Sequence, residues 1–332
     1  MNLIKQIQLP NGRSTTNLGF GCAGLLRLPT ARRRDQLLRT VVEGGITHFD
    51  VARMYGAGEA EGFVGASLKS FRDRITLATK FGLPYATPTR SALRIQSLAK
   101  WILNQSPALK NKIRKLRSSG APSANQPVSP NLYSIEEMEK SLGLSLAQLQ
   151  TDQVDILFLH APVIHDHIAG EMAGALQEKK AAGKIGAFGV SGYRTELEYF
   201  LKTRPDLCGD AIQCHFSILN DGAESEPLRY AFTGMFGVLD GPLQQLHDYL
   251  SAHRNFTKSW SDKLGIDLNA RENGGIIILA LALLLNPQGL VLFFTSNPER
   301  FRRTVRRLTD NVFSEENLFE FRRAVRQGIH AN

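Results

Sequence analysis

Eight short apolar runs, separated mostly by stretches of helical periodicity, constrain this chain more than any other feature. They are Leu18–Cys22, Ile46–Asp50, Ile75–Lys80, Val154–His160, Ile185–Ser191, Ala211–Phe216, a weaker run at Tyr230–Phe236, and Leu290–Thr295. Runs such as DILFL at Asp155–Leu159 are apolar at nearly every position. That is the pattern of a parallel strand covered on both faces. Amphipathic stretches such as Asp35–Gly44 and Glu171–Ala182 lie between them, and Ser134 followed by Glu137 forms a capping box that opens another helix. Eight strand-helix units predict an α/β fold, a (β/α)8 TIM barrel over residues 1–332 as one domain. A doubly wound open sheet is the structural alternative. An Asn11-Gly12 turn signal precedes the first run.

Two segments break the rhythm. Residues 83–133 form an insertion between the third strand and its helix. It starts with a basic amphipathic stretch, Arg90–Arg117, and ends in SSGAPSANQPVSP, a loop by its Gly, Pro and Ser content. Residues 239–275 follow no pattern that assigns them. The insertion also explains the formal net charge of +9. Between Leu83 and Tyr133 stand eight basic residues and no acidic one, and nine less eight leaves the rest of the chain at +1. The charge is therefore local. It does not mark a nucleic-acid binder, since the segment has no recognisable binding fold and only Trp101 as an aromatic of the buried kind. Leaving the chain just after the third strand, the insertion should emerge at the barrel mouth. Residues 88–117 are expected either to roof a pocket, with Trp101, Ile102 and Leu103 inward, or to form a solvated lobe. Contact with an anionic membrane surface is a further alternative.

Other signals narrow the class. The run Ile276–Leu285 stops at Asn286-Pro287, too short to cross a bilayer, and reads as a buried helix. Cys22, Cys208 and Cys214 form no CxxC pair, and no N-terminal apolar run suggests a signal peptide. Reduced thiols and a cytoplasmic location are the expectation. His160, His165 and His167 lack accompanying acidic or cysteine ligands, so no metal is expected. Gly56–Gly62 has its last glycine one position late for a dinucleotide loop, and Tyr193 occupies the last glycine position of a serine-hydrolase elbow.

The chemistry should sit where strands end, because a barrel of this type displays its reactive groups at the C-terminal ends of its strands. The second run ends in Asp50, with Tyr55 in the loop beyond; the third ends in Lys80, the fourth in His160, the fifth in Ser191. Alone, each has an ordinary structural explanation, a cap or a satisfied polar residue. Together they form a proton donor. A tyrosine has a pKa of about 10, an ammonium beside it favours the phenolate, and a carboxylate holds that ammonium charged. A neutral histidine can then orient a carbonyl oxygen that gains charge as hydride arrives.

The segments GITHFDVARMYGAGEAEGFVGASLK (Gly45–Lys69), ITLATKFG (Ile75–Gly82), DILFLHAP (Asp155–Pro162), GKIGAFGVSGY (Gly183–Tyr193) and TSNPERF (Thr295–Phe301) resemble the aldo-keto reductases, in order, over most of the chain. The resemblance implies reduction of a small-molecule carbonyl, with Asp50, Tyr55, Lys80 and His160 as the catalytic tetrad. It implies NADP(H), and less readily NAD(H), bound across the mouth. Ser191 and Gln213 match contacts to the nicotinamide amide, with Gly192 where an Asn is common. Asp50, Cys22, Thr295, Ser296 and Arg300 are the other expected cofactor contacts, and Phe232 is the candidate to stack on the nicotinamide. Asn297 can cap a helix whose first position is Pro298, leaving N–H groups and a partial charge for a phosphate. Arg300 would pair with the 2′-phosphate, the alternative being a solvated surface arginine among Arg302, Arg303, Arg306 and Arg307. Phe294 replaces a residue usually small or basic. A nicotinamide-binding sensor with little turnover is the alternative function.

Overall fold

The computed structural model describes residues 2–83, 132–220, 226–310 and 312–330. A hairpin comes first, β1 (Gln6–Gln8) antiparallel to β2 (Ser14–Thr16), its turn passing through Gly12 at φ 79. Eight strands follow: β3 (Leu18–Gly21), β4 (His48–Asp50), β5 (Thr76–Phe81), β6 (Val154–His160), β7 (Ile185–Gly192), β8 (Ala211–His215), β9 (Thr233–Phe236) and β10 (Leu290–Phe293). All neighbours are parallel, and β10 pairs with β3, with Val291 opposite Leu18. The sheet is a closed barrel, not the open alternative. Each of the eight apolar runs contributes one strand.

Strand alternation divides the side chains into two sets. One set, including Phe20, Phe49, Leu77, Leu157, Phe188 and Ile212, packs outward against the helices. The other points into the barrel. Its lower layers, Ala78, Ile156, Phe158, Ala187, Ala211, Phe232 and Leu290, close on Ile7 and Leu9 from the hairpin. The hairpin plugs the N-terminal end, where His48 and Thr76 meet at 2.9 Å, and the open inward positions lie toward the C-terminal ends.

The surrounding helices start where capping chemistry allows. Thr30 opens α1 (Ala31–Glu43) by accepting from the Arg33 N–H, and α2 (Ala60–Leu68) follows β4. Ser134 accepts from the Glu137 N–H at the start of α3 (Ile135–Leu149). Then come α4 (Met172–Ala181) and α5 (Arg194–Thr203). The segment the sequence pattern left unassigned is helical: α6 (Pro242–Ala252), α7 (Arg254–Leu264) and the start of α8 (Arg271–Leu285). Both helices are amphipathic, and their buried apolar residues are few, Leu246 and Leu250 in α6 and Leu264 in α7. Trp260 of α7 instead packs at 5.4 Å on Phe321 of the C-terminal helix α10 (Glu315–His330), which follows α9 (Pro298–Thr309). The apolar run in α8 is buried from Gly274 to Leu283. Among the described residues no helix is long and apolar enough to cross a membrane. The expectations for the basic insertion, including Trp101, Ile102 and Leu103, fall on residues 84–131, outside the described residues.

Candidate active site

Asp50, Lys80, His160 and Ser191 occupy the last inward positions of β4 to β7, and Gln213 the last but one of β8, below His215. Lys80 is 1% exposed and its ammonium has three donors to place. One goes to the Asp50 carboxylate in an ion pair, one to the Val51 carbonyl at 3.1 Å, and one to Tyr55 Oη at 3.4 Å. Asp50 uses its second oxygen to accept from Gln213 Nε2 at 2.7 Å, and Ser191 Oγ donates to Gln213 Oε1 at 2.8 Å. The result is one continuous network, Tyr55–Lys80–Asp50–Gln213–Ser191. Since an ammonium can only donate, Tyr55 Oη is the acceptor in its bond to Lys80. The phenol's own proton is left to point elsewhere. His160 faces the Tyr55 ring edge-on, with centroids 5.8 Å apart.

The loop that carries Tyr55 is tied down from below. Arg53 and Glu61 form a buried ion pair, Thr79 Oγ1 donates to Glu61 at 2.6 Å, and the Arg53 N–H donates to the Lys80 carbonyl. Beyond Tyr55 the chain turns through Gly56, Ala57 and Gly58, all at positive φ. Ala161, right after His160, is also left-handed at φ 50, and Tyr133 Oη holds the His160 carbonyl at 2.8 Å. Non-glycine residues in that region cost of order 1–3 kcal/mol each and persist where the surroundings over-determine them.

Burial dominates the electrostatics. It pushes the Tyr55 phenol above its ordinary value of 10, and the attraction of Lys80 offsets this only in part. The sequence-based expectation of a lowered phenol is thus reversed, because that argument counted the ammonium and not the lost water. Burial opposes charge on Lys80 as well, yet Asp50 and Tyr55 raise its pKa above 10.5. Burial, aided by Lys80, pushes His160 down to about 3, so the imidazole is neutral at ordinary pH. Cys22 is wholly buried and its thiol is raised far above the ordinary value, which makes it a packing group and not a nucleophile.

Two clefts open beside this network and share the walls Leu239, Asp240, Phe293 and Phe294. The inner one, about 260 Å³, is lined by Gly21, Gly24, Asp50, Tyr55 and Phe236. The outer one, about 520 Å³, is lined by Arg271, Glu272, Thr295, Arg300 and Thr304. The Phe294 ring stands between them, packed against the Gly24 backbone; a Cβ there would lie 2.3 Å from the ring, so Phe294 requires a glycine opposite.

The aldo/keto reductase family model matches residues 17–239. The chain belongs to the aldo/keto reductase family. It is 29% identical over 199 residues to aldo-keto reductase YhdN of Bacillus subtilis, covering 59% of this chain and 47% of that protein, so it spans about half the length of that relative. It is 28% identical over 267 residues to pyridoxal 4-dehydrogenase of Microbacterium luteolum, covering 73% and 74%. Its fold is that of an aldo/keto reductase from Klebsiella pneumoniae solved in complex with NADP and acetate, at TM-score 0.62 and 20% identity, covering 97% of this chain and 95% of that one.

Within this aldo/keto reductase barrel the expected cofactor contacts divide. Asp50, Ser191 and Gln213 lie at the mouth, and Thr295 and Arg300 line the outer cleft. Ser296 is exposed beside them. Cys22 is buried just beyond β3, its Sγ 3.8 Å from the Phe20 carbonyl. Phe232 is misplaced: it precedes β9 and belongs to the apolar floor with Ile7 and Leu9. The aromatic at the mouth is Phe236, four residues on, which lines the inner cleft with its edge toward His215 at 5.5 Å. The missed signal was the strand end, since the apolar run begins before the strand does. The α9 N-terminus also differs from expectation. Asn297 Oδ1 accepts from both the Glu299 and Arg300 N–H groups, and Pro298 has none to offer. An anion here meets fewer free backbone donors than the sequence implies, and leans more on side chains. Sequence reasoning also missed Glu272, whose carboxylate pairs with Arg303 and lies 3.7 Å from Arg300 Nε.

Proposed function

We propose that this chain reduces an aldehyde or ketone to an alcohol with NADP(H), Tyr55 being the proton donor. The observation that carries the reading is the direction of the Lys80–Tyr55 hydrogen bond. Lys80 donates to Tyr55 Oη, which frees the phenol's proton for a group in the inner cleft. The phenol stays protonated at neutral pH because burial raises its pKa. Lys80 beside it then stabilises the phenolate that forms once the proton has gone. Asp50 fixes the ammonium, and neutral His160 orients the carbonyl oxygen.

The residues fit a nicotinamide dinucleotide. Gln213 and Ser191 supply an amide and a hydroxyl at the mouth, and Phe236 an apolar face. The clefts lead from there to Thr295 and Arg300, next to Ser296, and Arg300 is the 2′-phosphate contact. When bound, the nicotinamide supplies the hydride that adds to the carbonyl carbon.

The test is NADPH oxidation with a panel of small and bulky carbonyls, wild type against Tyr55→Phe. Turnover should fall by about 10²- to 10⁴-fold, the range of general acid catalysis, with the NADPH Kd nearly unchanged. Undiminished turnover in the variant would remove Tyr55 from the donor role. Tight NADPH binding with no turnover of any carbonyl by the wild type would assign a sensor in place of an enzyme.

A further inference from the structure

We propose that Glu272 sets the balance between NADPH and NADH in the outer cleft. It holds the two arginines that a 2′-phosphate needs, and it offers its own carboxylate to a free 2′-hydroxyl. This deepens the reductase reading and rests on it.

The positive charge of the outer cleft is already partly met. Arg300 and Arg303 stand three apart on α9 and reach the same Oε2 atom of Glu272, in the first turn of α8. The trio carries a net charge of only +1. The Glu299 and Arg300 N–H groups, which could otherwise face an anion, are committed to Asn297. A phosphate monoester brings a charge of about −1.5 to −2 and acceptors only. At Arg300, whose Nε lies 3.7 Å from Glu272, it must sit beside a like charge. A ribose with a free 2′-hydroxyl brings a donor, and a carboxylate is the group that nicotinamide-binding proteins of other folds use to accept from it.

The geometry also fixes how strong the discrimination can be. The side chains are 51%, 45% and 35% exposed for Arg300, Arg303 and Glu272. Ion pairs so open to water are weak, so Glu272 can be pushed aside and neither cofactor is excluded. Both should bind, with a modest preference that Glu272 holds down. Asp240 lines the same cleft and adds a second carboxylate, but it has no arginine in its grip among the described residues.

The experiment is fluorescence titration of wild type and Glu272→Gln with NADPH and with NADH, alongside the Tm of each protein. The half-exposed side chain makes a folding defect unexpected, and an unchanged Tm verifies this. Glutamine should shift the NADH-to-NADPH Kd ratio toward NADPH by about tenfold, mostly through tighter NADPH. Glu272→Ala should shift it in the same direction. An equal change for both cofactors, or none, overturns the proposal and makes Glu272 a structural residue. If the wild type binds neither nucleotide, the reductase reading fails first. Binding of both with carbonyl turnover but an unmoved ratio leaves that reading standing and removes only this one.

Discussion

The barrel interior has two halves made by the same strands, and they share nothing chemically. Toward the N-terminal end the inward side chains are Ala78, Ile156, Phe158, Ala187, Ala211, Phe232 and Leu290, sealed by Ile7 and Leu9. Two residues further along their strands, with the same inward direction, come Lys80, His160 after Phe158, and Gln213 after Ala211. The lower half is held by apolar burial, with a small polar cluster in which Thr76 Oγ1 lies 2.9 Å from both His48 Nδ1 and Thr15 Oγ1. The upper half is held by hydrogen bonds among groups that would be costly to bury singly. The comparison teaches that a step of two residues along a strand separates stability from chemistry, because the floor excludes water and the mouth converts that dryness into shifted pKa values.

The sharpest way to break this contrast is Lys80→Met, which puts an apolar side chain of the lower kind into the upper half. Asp50 is then left as a buried charge without its cation. Stability should drop by about 3–5 kcal/mol in urea unfolding, with carbonyl reduction lost as well. A variant as stable as wild type would mean the upper network contributes nothing to the fold.

A matched pair of phenylalanines tests the same boundary along one apolar run. Phe232→Ala should cost about 3–5 kcal/mol through the cavity it leaves in the floor, with NADPH affinity unchanged. Phe236→Ala should do the reverse, weakening NADPH by about tenfold at little cost in Tm. If the phenotypes are exchanged, the assignment of Phe236 to the cofactor face is wrong.

A pH dependence tests the same burial, and its sign follows from it. His48 is pushed down to about 4 and His160 to about 3, against an ordinary 6.5. Below pH 6.5 the unfolded chain takes up protons that the folded chain refuses, so stability falls as pH drops from there toward 4. Each histidine contributes about 1.4 kcal/mol per pH unit in that window and nothing above it. Unfolding measured at pH 7 and pH 5 should show a shallower loss in His48→Gln than in wild type. Equal slopes would place His48 in water and not in the barrel.

Much of this molecule was legible before folding. Strands such as DILFL announce themselves because both faces are covered, and capping residues such as Ser134 and Asn297 mark helix starts by local chemistry. What could not be read depended on distances through space. Phe232 and Phe236 lie in one apolar run, and only pairing with β8 and β10 shows which stands at the mouth. The place of the α6–α7 segment could not be read because the surface that α7 packs on, around Phe321, lies more than fifty residues on.

By itself the sequence determined the number and order of the barrel strands and the polar residues that end several of them, since hydrophobic period and strand length are local properties of the chain. Tertiary structure alone decided the direction of the Tyr55 shift, the place of Phe236 at the mouth, and the hold of Glu272 on two arginines. Each of those is a matter of water removed or charge met across space, and neither quantity exists until the barrel has closed.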